Sequence, residues 1–253
     1  MTRYTNLMTT RQHMLQEQEG SLEPDSTQQT ECFSLSDGEI YYLWHFIQGS
    51  IMSPGVRHRL RRGWGFCQRH AWGNLVVESA FRHEYLHGPA ILYEDIMGLA
   101  QEHIKTDLWH KTALRLNLKM KGPCLMCDMG YGPQSVGHPM EEVLTQGRDI
   151  SNFQNFAFGT QRYWKKYVCR ICLGDQTDGH LCRPHLLSKL SQGQVKNIEA
   201  ERHFVHYLSE QLRIYARSFR WEWQGTETVE NKASLIGAVG WCSGWNELFK
   251  ILQ

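Results

Sequence analysis

Apolar residues recur at helical spacing along most of the chain from Ser36 onward. In SLSDGEIYYLWHFIQGS, Ile40, Leu43, Trp44 and Ile47 share one face, and Ser36 with Glu39 three residues on forms a capping box. SPGVRHRLRRGWGF predicts a short helix opened by Pro54 and stopped by Gly63. CQRHAWGNLVVESAFRHEYLH predicts a helix running to Gly88-Pro89, and beyond that break Ile91, Leu92, Ile96, Leu99, Ile104 and Leu108 continue a helical pattern. KMKGPCLMCDMGYGPQSVGHP is a loop punctuated by Gly and Pro. An acidic helix start and an aromatic, basic stretch follow between 141 and 168. Two further helices are predicted, through NIEAERHFVHYLSEQLRIYARSF and VENKASLIGAVGWCSGWNELFKIL. Convincing strands are few, so the expected fold class is mainly α.

This pattern suggests a division of the chain. Residues 1–30, rich in Gln, Thr and Glu, read as a flexible extension. Residues 31–120 form a helical first half, and residues 121–253 a second half with a Cys-rich segment and C-terminal helices. The loop carrying Cys124 and Cys127 is the seam.

Composition narrows the class. The chain has 253 residues, enough for a substantial core, and its formal net charge of +1 excludes a nucleic-acid-coating polycation. Any nucleic-acid role must rest on local patches. No apolar run is long enough to cross a bilayer, and the first residues lack the apolar stretch of a secretory signal. The expectation is therefore a cytoplasmic protein without membrane contact. Of eight cysteines, six lie in C-x2-C or C-x2-H pairs, which in that compartment favours metal-binding thiolates over disulfides.

The complete pairs are Cys67/His70, Cys124/Cys127, Cys169/Cys172 and Cys182/His185. A C-x2-C or C-x2-H turn presents two donors to one tetrahedral ion, so these eight residues make two Zn2+ sites with nothing left over. The short gap LGDQTDGHL lets Cys169, Cys172, Cys182 and His185 close one site locally, leaving Cys67, His70, Cys124 and Cys127 for the other. An alternative joins Cys124/Cys127 to Cys182/His185. Four protein ligands leave no open position, so such sites read as structural. The cofactor alternatives are an iron-sulfur cluster on Cys124, Cys127, Cys169 and Cys172, or a di-iron site elsewhere. Cys32 and Cys242 stand alone and read as core cysteines.

The order of a Cys-bearing first turn, GFCQRHAW, GPAILYEDIMGLA, PCLMC and GHLCRPHLLSKL resembles a bacterial family of unknown function. In that family CPxC and GFCxxH or LCxxH motifs alternate along a helical chain. The resemblance covers roughly residues 31 to 250. The first turn departs from the pattern, reading CFSL with Leu35 in place of a second Cys, which speaks against a metal site on Cys32. The resemblance implies no established activity.

Other motifs are weaker. His83, Glu84 and His87 spell H-E-x2-H, the frame of a zinc peptidase, but Gly88-Pro89 would end that helix at once. Glu84/His87, Asp107/His110 and His203/His206, with Glu94, Asp95 and Glu102, outline the donors of a di-metal, oxygen-using enzyme. RHRLRRGW at 57–64 and QRYWKKYVCR at 161–170 mix Arg or Lys with aromatics, as nucleic-acid surfaces do, although Trp64 and Trp164 turned inward would make them ordinary surface. The expectation is a zinc-stabilised accessory or regulatory protein with a protein partner. A metalloenzyme and a nucleic-acid binder are the alternatives.

Overall fold

The computed structural model describes residues 32–83, 85–104, 111–174, 179–195 and 197–253. The predicted 1–30 extension lies outside these residues. The helices are α1 (Asp37–Ile47), α2 (Pro54–Gly63), α3 (Gln68–Arg82), α4 (His87–Ile104), α5 (Lys111–Leu118) and α6 (Leu125–Asp128). They continue with α7 (Glu141–Gly147), α8 (Ser151–Trp164), α9 (Arg183–Ser191), α10 (Ile198–Ser218), α11 (Val229–Ser243) and α12 (Asn246–Ile251). No strand occurs among the described residues, so the chain is mainly α, as its periodicity predicts.

Residues Cys32–Gln253 pack as one unit. At its centre is α11, whose residues 233–243 are all buried, as an apolar pattern on every side requires. Helices α8 and α10 pack against it, and α10 also lies along α4. Gly237 permits the close approach of α10, and Gly240 makes room for the Trp245 ring beyond the end of α11. A Cβ on Gly240 would fall 2.3 Å from the Trp245 ring, and one on Gly237 would fall 2.7 Å from Leu208. The second deeply buried helix is α3, buried from His70 to Ala80 and packed between α1, α7 and α8. Its Trp72 donates its indole N–H to the Gly244 carbonyl at 2.9 Å, tying α3 to the end of α11.

The capping box of α1 forms as predicted, with the Ser36 amide donating to Glu39 at 2.8 Å. Its buried face is Ile40, Leu43, Phe46 and Ile47, while Trp44 is half-buried. Helix α2 runs from Pro54 to Gly63, but Trp64 rather than a glycine takes the left-handed cap position. Its indole is buried and donates to the Lys119 carbonyl, which offsets the cost of that backbone.

Two predicted boundaries move. The single C-terminal helix expected from Val229 to Leu252 breaks at Gly244, whose φ of +104° ends α11, and resumes as α12. The helix expected to reach Gly88 ends at Arg82, and His83 adopts the left-handed conformation. Helix α4 then starts at His87, so Gly88 and Pro89 lie in its first turn, where proline needs no helical donor. The physical cause is Glu78, buried on α3, which accepts the Gly88 amide at 2.8 Å and so fixes the new helix start. Gly88 is needed for that approach, since a Cβ there would lie 2.6 Å from Glu78 Oε2. No helix among the described residues is long and apolar enough to cross a membrane.

Candidate metal centres

Helix starts aim the donors. Cys67 is the N-cap of α3 and Cys182 the N-cap of α9, each in extended backbone. Their carbonyls accept the first helical bonds, from Ala71 and Leu186, both at 2.8 Å. The histidines at the third helical position, His70 and His185, then turn toward the same point as the thiols. Cys124 caps the short α6 and Cys127 follows in its first turn. Cys169 and Cys172 share a tight turn closed by the Leu173 amide on the Cys169 carbonyl.

Tertiary packing brings the eight residues into two groups. Cys67, His70, Cys124 and Cys127 form the first centre, and Cys169, Cys172, Cys182 and His185 the second. In each, the donor atoms lie within 4.8 Å of one another, and either group could hold a metal ion. Cys124/Cys127 therefore lies with Cys67/His70, not with Cys182/His185, and Cys169/Cys172 belongs to a different centre. The described cysteines are free, so none is in a disulfide.

The spacing matches one tetrahedral ion. Metal–sulfur and metal–nitrogen bonds of about 2.3 and 2.0–2.1 Å imply S···S edges of about 3.8 Å and N···S edges of about 3.5 Å. In the first centre Cys67 and Cys127 sulfurs are 3.7 Å apart, and His70 Nδ1 is 3.2, 3.4 and 3.5 Å from Cys67, Cys124 and Cys127. In the second centre Cys172 and Cys182 sulfurs are 3.9 Å apart, and His185 Nδ1 is 3.3, 3.5 and 3.2 Å from Cys169, Cys172 and Cys182. Both fit a three-thiolate, one-imidazole site.

Without a cation these donors work against each other. Hydrogen bonding from Cys67 and His70 holds the Cys124 thiol down at about 3, although burial opposes it. Hydrogen bonding to Cys124, together with burial, pushes Cys67 up. In the second centre Cys169 is likewise lowered by its thiol neighbours, while Cys182 is raised by them. Thiols packed this closely cannot all ionise without a compensating positive charge. A divalent ion removes that conflict, because it stabilises all the thiolates at once.

The first centre has a carboxylate behind its histidine. Glu39, fully buried, accepts from His70 Nε2 at 3.0 Å, which leaves Nδ1 facing the sulfurs. Arg69 holds the same carboxylate through Nε and Nη2 at 2.6 and 2.7 Å and also reaches the Ser34 carbonyl. Burial alone would raise Glu39, but Arg69 and His70 outweigh it and hold the carboxyl at about 2. Sequence reasoning assigned Glu39 only to the capping box; it does both jobs, one oxygen for each. Behind the second centre, Glu201 accepts the Leu181 amide, fixing the residue before Cys182. Nothing in the local pattern marked Glu201 or Arg183, because their roles arise from contacts across the fold.

Among the described residues the other motifs do not converge. His83 caps α3 and His87 opens α4, so the two histidines of H-E-x2-H do not share one helix. Glu84, Asp107 and His110 lie outside the described residues. Asp95 is paired with Arg57 and Arg61, and His206 Nδ1 meets Gln101. Among the described residues, only the two cysteine centres gather three or more donors. The basic stretch at 57–62 is largely engaged: Arg59 with Asp128, Arg61 with Asp95, and Arg62 with the Lys121 carbonyl. Trp64 and Trp164 are both buried. Cys242 is a core cysteine whose thiol burial pushes to about 12. Cys32, expected in the core, is exposed, because Phe33 and Leu35 take the inward positions beside it.

The chain matches no known family model, and no curated protein or solved structure proves similar to it.

Proposed function

We propose that this chain is a cytoplasmic zinc-binding accessory or regulatory protein, in which two three-thiolate, one-histidine sites hold the fold and a protein partner is bound at the surface. The observation that carries the metal reading is the match between the donor spacings and the edges of a single tetrahedral ion. Three sulfurs and a nitrogen suit zinc, and an iron-sulfur cluster on Cys124, Cys127, Cys169 and Cys172 is disfavoured because those residues are split between the centres. Cys67, His70, Cys124 and Cys127 would hold one ion, and Cys169, Cys172, Cys182 and His185 the other. Full protein ligation leaves no position for a substrate or activated water, which supports a scaffold rather than a catalytic role. The alternation of GFCxxH, PCLMC and LCxxH resembles the helical family of unknown function noted above, and assignment to that family belongs to this proposal.

Metal analysis of the purified chain tests it. Two zinc ions per chain are expected, and removal of both by a chelator should unfold the protein rather than leave a folded apo form. Cys124→Ser and Cys182→Ser should each lose one ion together with stability. Iron in place of zinc, or a chelated chain that keeps its helical signal and cooperative melt, would overturn the reading.

A further inference from the structure

Arg183 directly follows the ligand Cys182, and its side chain is buried, with only 5% of the residue exposed. Its Nε donates to the Cys242 carbonyl at 3.0 Å and its Nη1 to the Leu118 carbonyl at 3.1 Å. The guanidinium carbon lies 5.6 Å from the centroid of the Trp64 ring. These partners are all neutral. No carboxylate pairs with Arg183 among the described residues, whereas Arg69, beside the first centre, has the Glu39 carboxylate. A buried charge is rarely left without a counter-charge, because removal from water costs several kcal/mol.

We infer that Arg183 is the counter-ion of the second metal centre, a positioning residue that acts through charge; the inference rests on the metal reading above. Three thiolates and an imidazole around a divalent cation carry one net negative charge. The Arg183 guanidinium, carried on the first turn of the helix that Cys182 caps and within electrostatic reach of that thiol, offsets this charge. That balance selects a divalent ion: a monovalent one leaves a buried negative charge, and a trivalent one leaves Arg183 uncompensated. The first centre solves the same problem differently. Its Arg69 is taken up by Glu39, and its own net charge is left to water at the exposed Cys127. The rival role for Arg183 is mechanical, a latch of two hydrogen bonds joining α9 to α11 and to the end of α5.

The two roles separate in the full-length, zinc-loaded chain. Zinc is withdrawn with a graded chelator, and the alkylation of each cysteine is read by mass spectrometry, so that each centre reports its own affinity. In Arg183→Met, Cys169, Cys172 and Cys182 should become reactive at free zinc levels at least about tenfold higher than in the parent, from loss of one charge pair. Cys67, Cys124 and Cys127 should be unchanged. Arg183→Lys, which keeps the charge but not the geometry of both hydrogen bonds, should stay within about threefold of the parent. An Arg183→Met chain that holds zinc as tightly as the parent overturns the inference, and so does an Arg183→Lys chain that loses as much as Arg183→Met. If Arg183→Met does not fold, Arg183→Lys decides: retention within threefold supports the inference, and a loss above tenfold overturns it. A parent chain that binds no divalent metal overturns the metal reading itself, and is recognised by both centres being reactive from the start.

Discussion

Glu78 offers a direct test of how the junction between α3 and α4 is built. It is 5% exposed on α3 and accepts one bond, from the Gly88 amide, while its Oε2 has no partner. Burial pushes its carboxyl up from an ordinary 4.5 to about 7, against the opposing Gly88 hydrogen bond and Arg82. A carboxyl raised in the folded state has its full contribution below 4.5, where both states are protonated. As pH rises, the unfolded chain ionises first, and stability is lost until the folded group also ionises near 7. At ~1.4 kcal/mol per pH unit, the gap between 4.5 and about 7 gives a penalty of about 3 kcal/mol above pH 7. Glu78→Gln keeps the acceptor for Gly88 and cannot ionise. It should therefore be more stable than the parent at pH 8 by up to about 3 kcal/mol, with the advantage shrinking toward zero at pH 4.5. Urea unfolding of both chains at matched pH and zinc measures the difference, and titration of the metal ligands cancels between them. A Glu78→Gln chain that is less stable at pH 8, or a difference that does not change with pH, would refute the reasoning.

Three further outcomes follow from the same geometry. Glu39→Gln should weaken zinc binding at the first centre by about 10- to 100-fold and leave the second unchanged, because of the two ligand histidines only His70 is backed by this carboxylate; site-resolved chelator competition reads this. Gly240→Ala should cost about 1–3 kcal/mol in urea unfolding, because its Cβ meets the Trp245 ring and not a flexible chain end. In the zinc-loaded protein Cys242 should resist alkylation until global unfolding, while Cys32, being exposed, reacts at once.

Much of this architecture was legible in the chain before its structure. The Ser36/Glu39 box, Pro54 at the start of α2 and the apolar periodicity of α10 act locally, so local rules find them. The sequence of α11 marked a helix, but its burial on every side depends on α8 and α10 packing around it and was not read from the chain. The break at His83 was not legible, because it depends on Glu78 accepting an amide ten residues later in the chain, in the first turn of α4. The donors were recognisable from their C-x2-C and C-x2-H spacing, but their grouping depends on how α3 and α6 pack. The residues behind the donors were hidden for the same reason: Glu39 meets His70 across 31 positions, and Arg183 meets Leu118 across 65.

The two centres also differ in how much chain each one gathers. The second closes within residues 169–185, whereas the first joins residues 67 to 127. Loop closure for the longer span costs about 1 kcal/mol more entropy, and it requires α3 and α6 to have docked already. With ions bound as proposed, the short loop needs no other part of the chain to assemble its donors. The spacing then predicts an order of assembly: the second centre fills first, and the first only once α3 and α6 have docked.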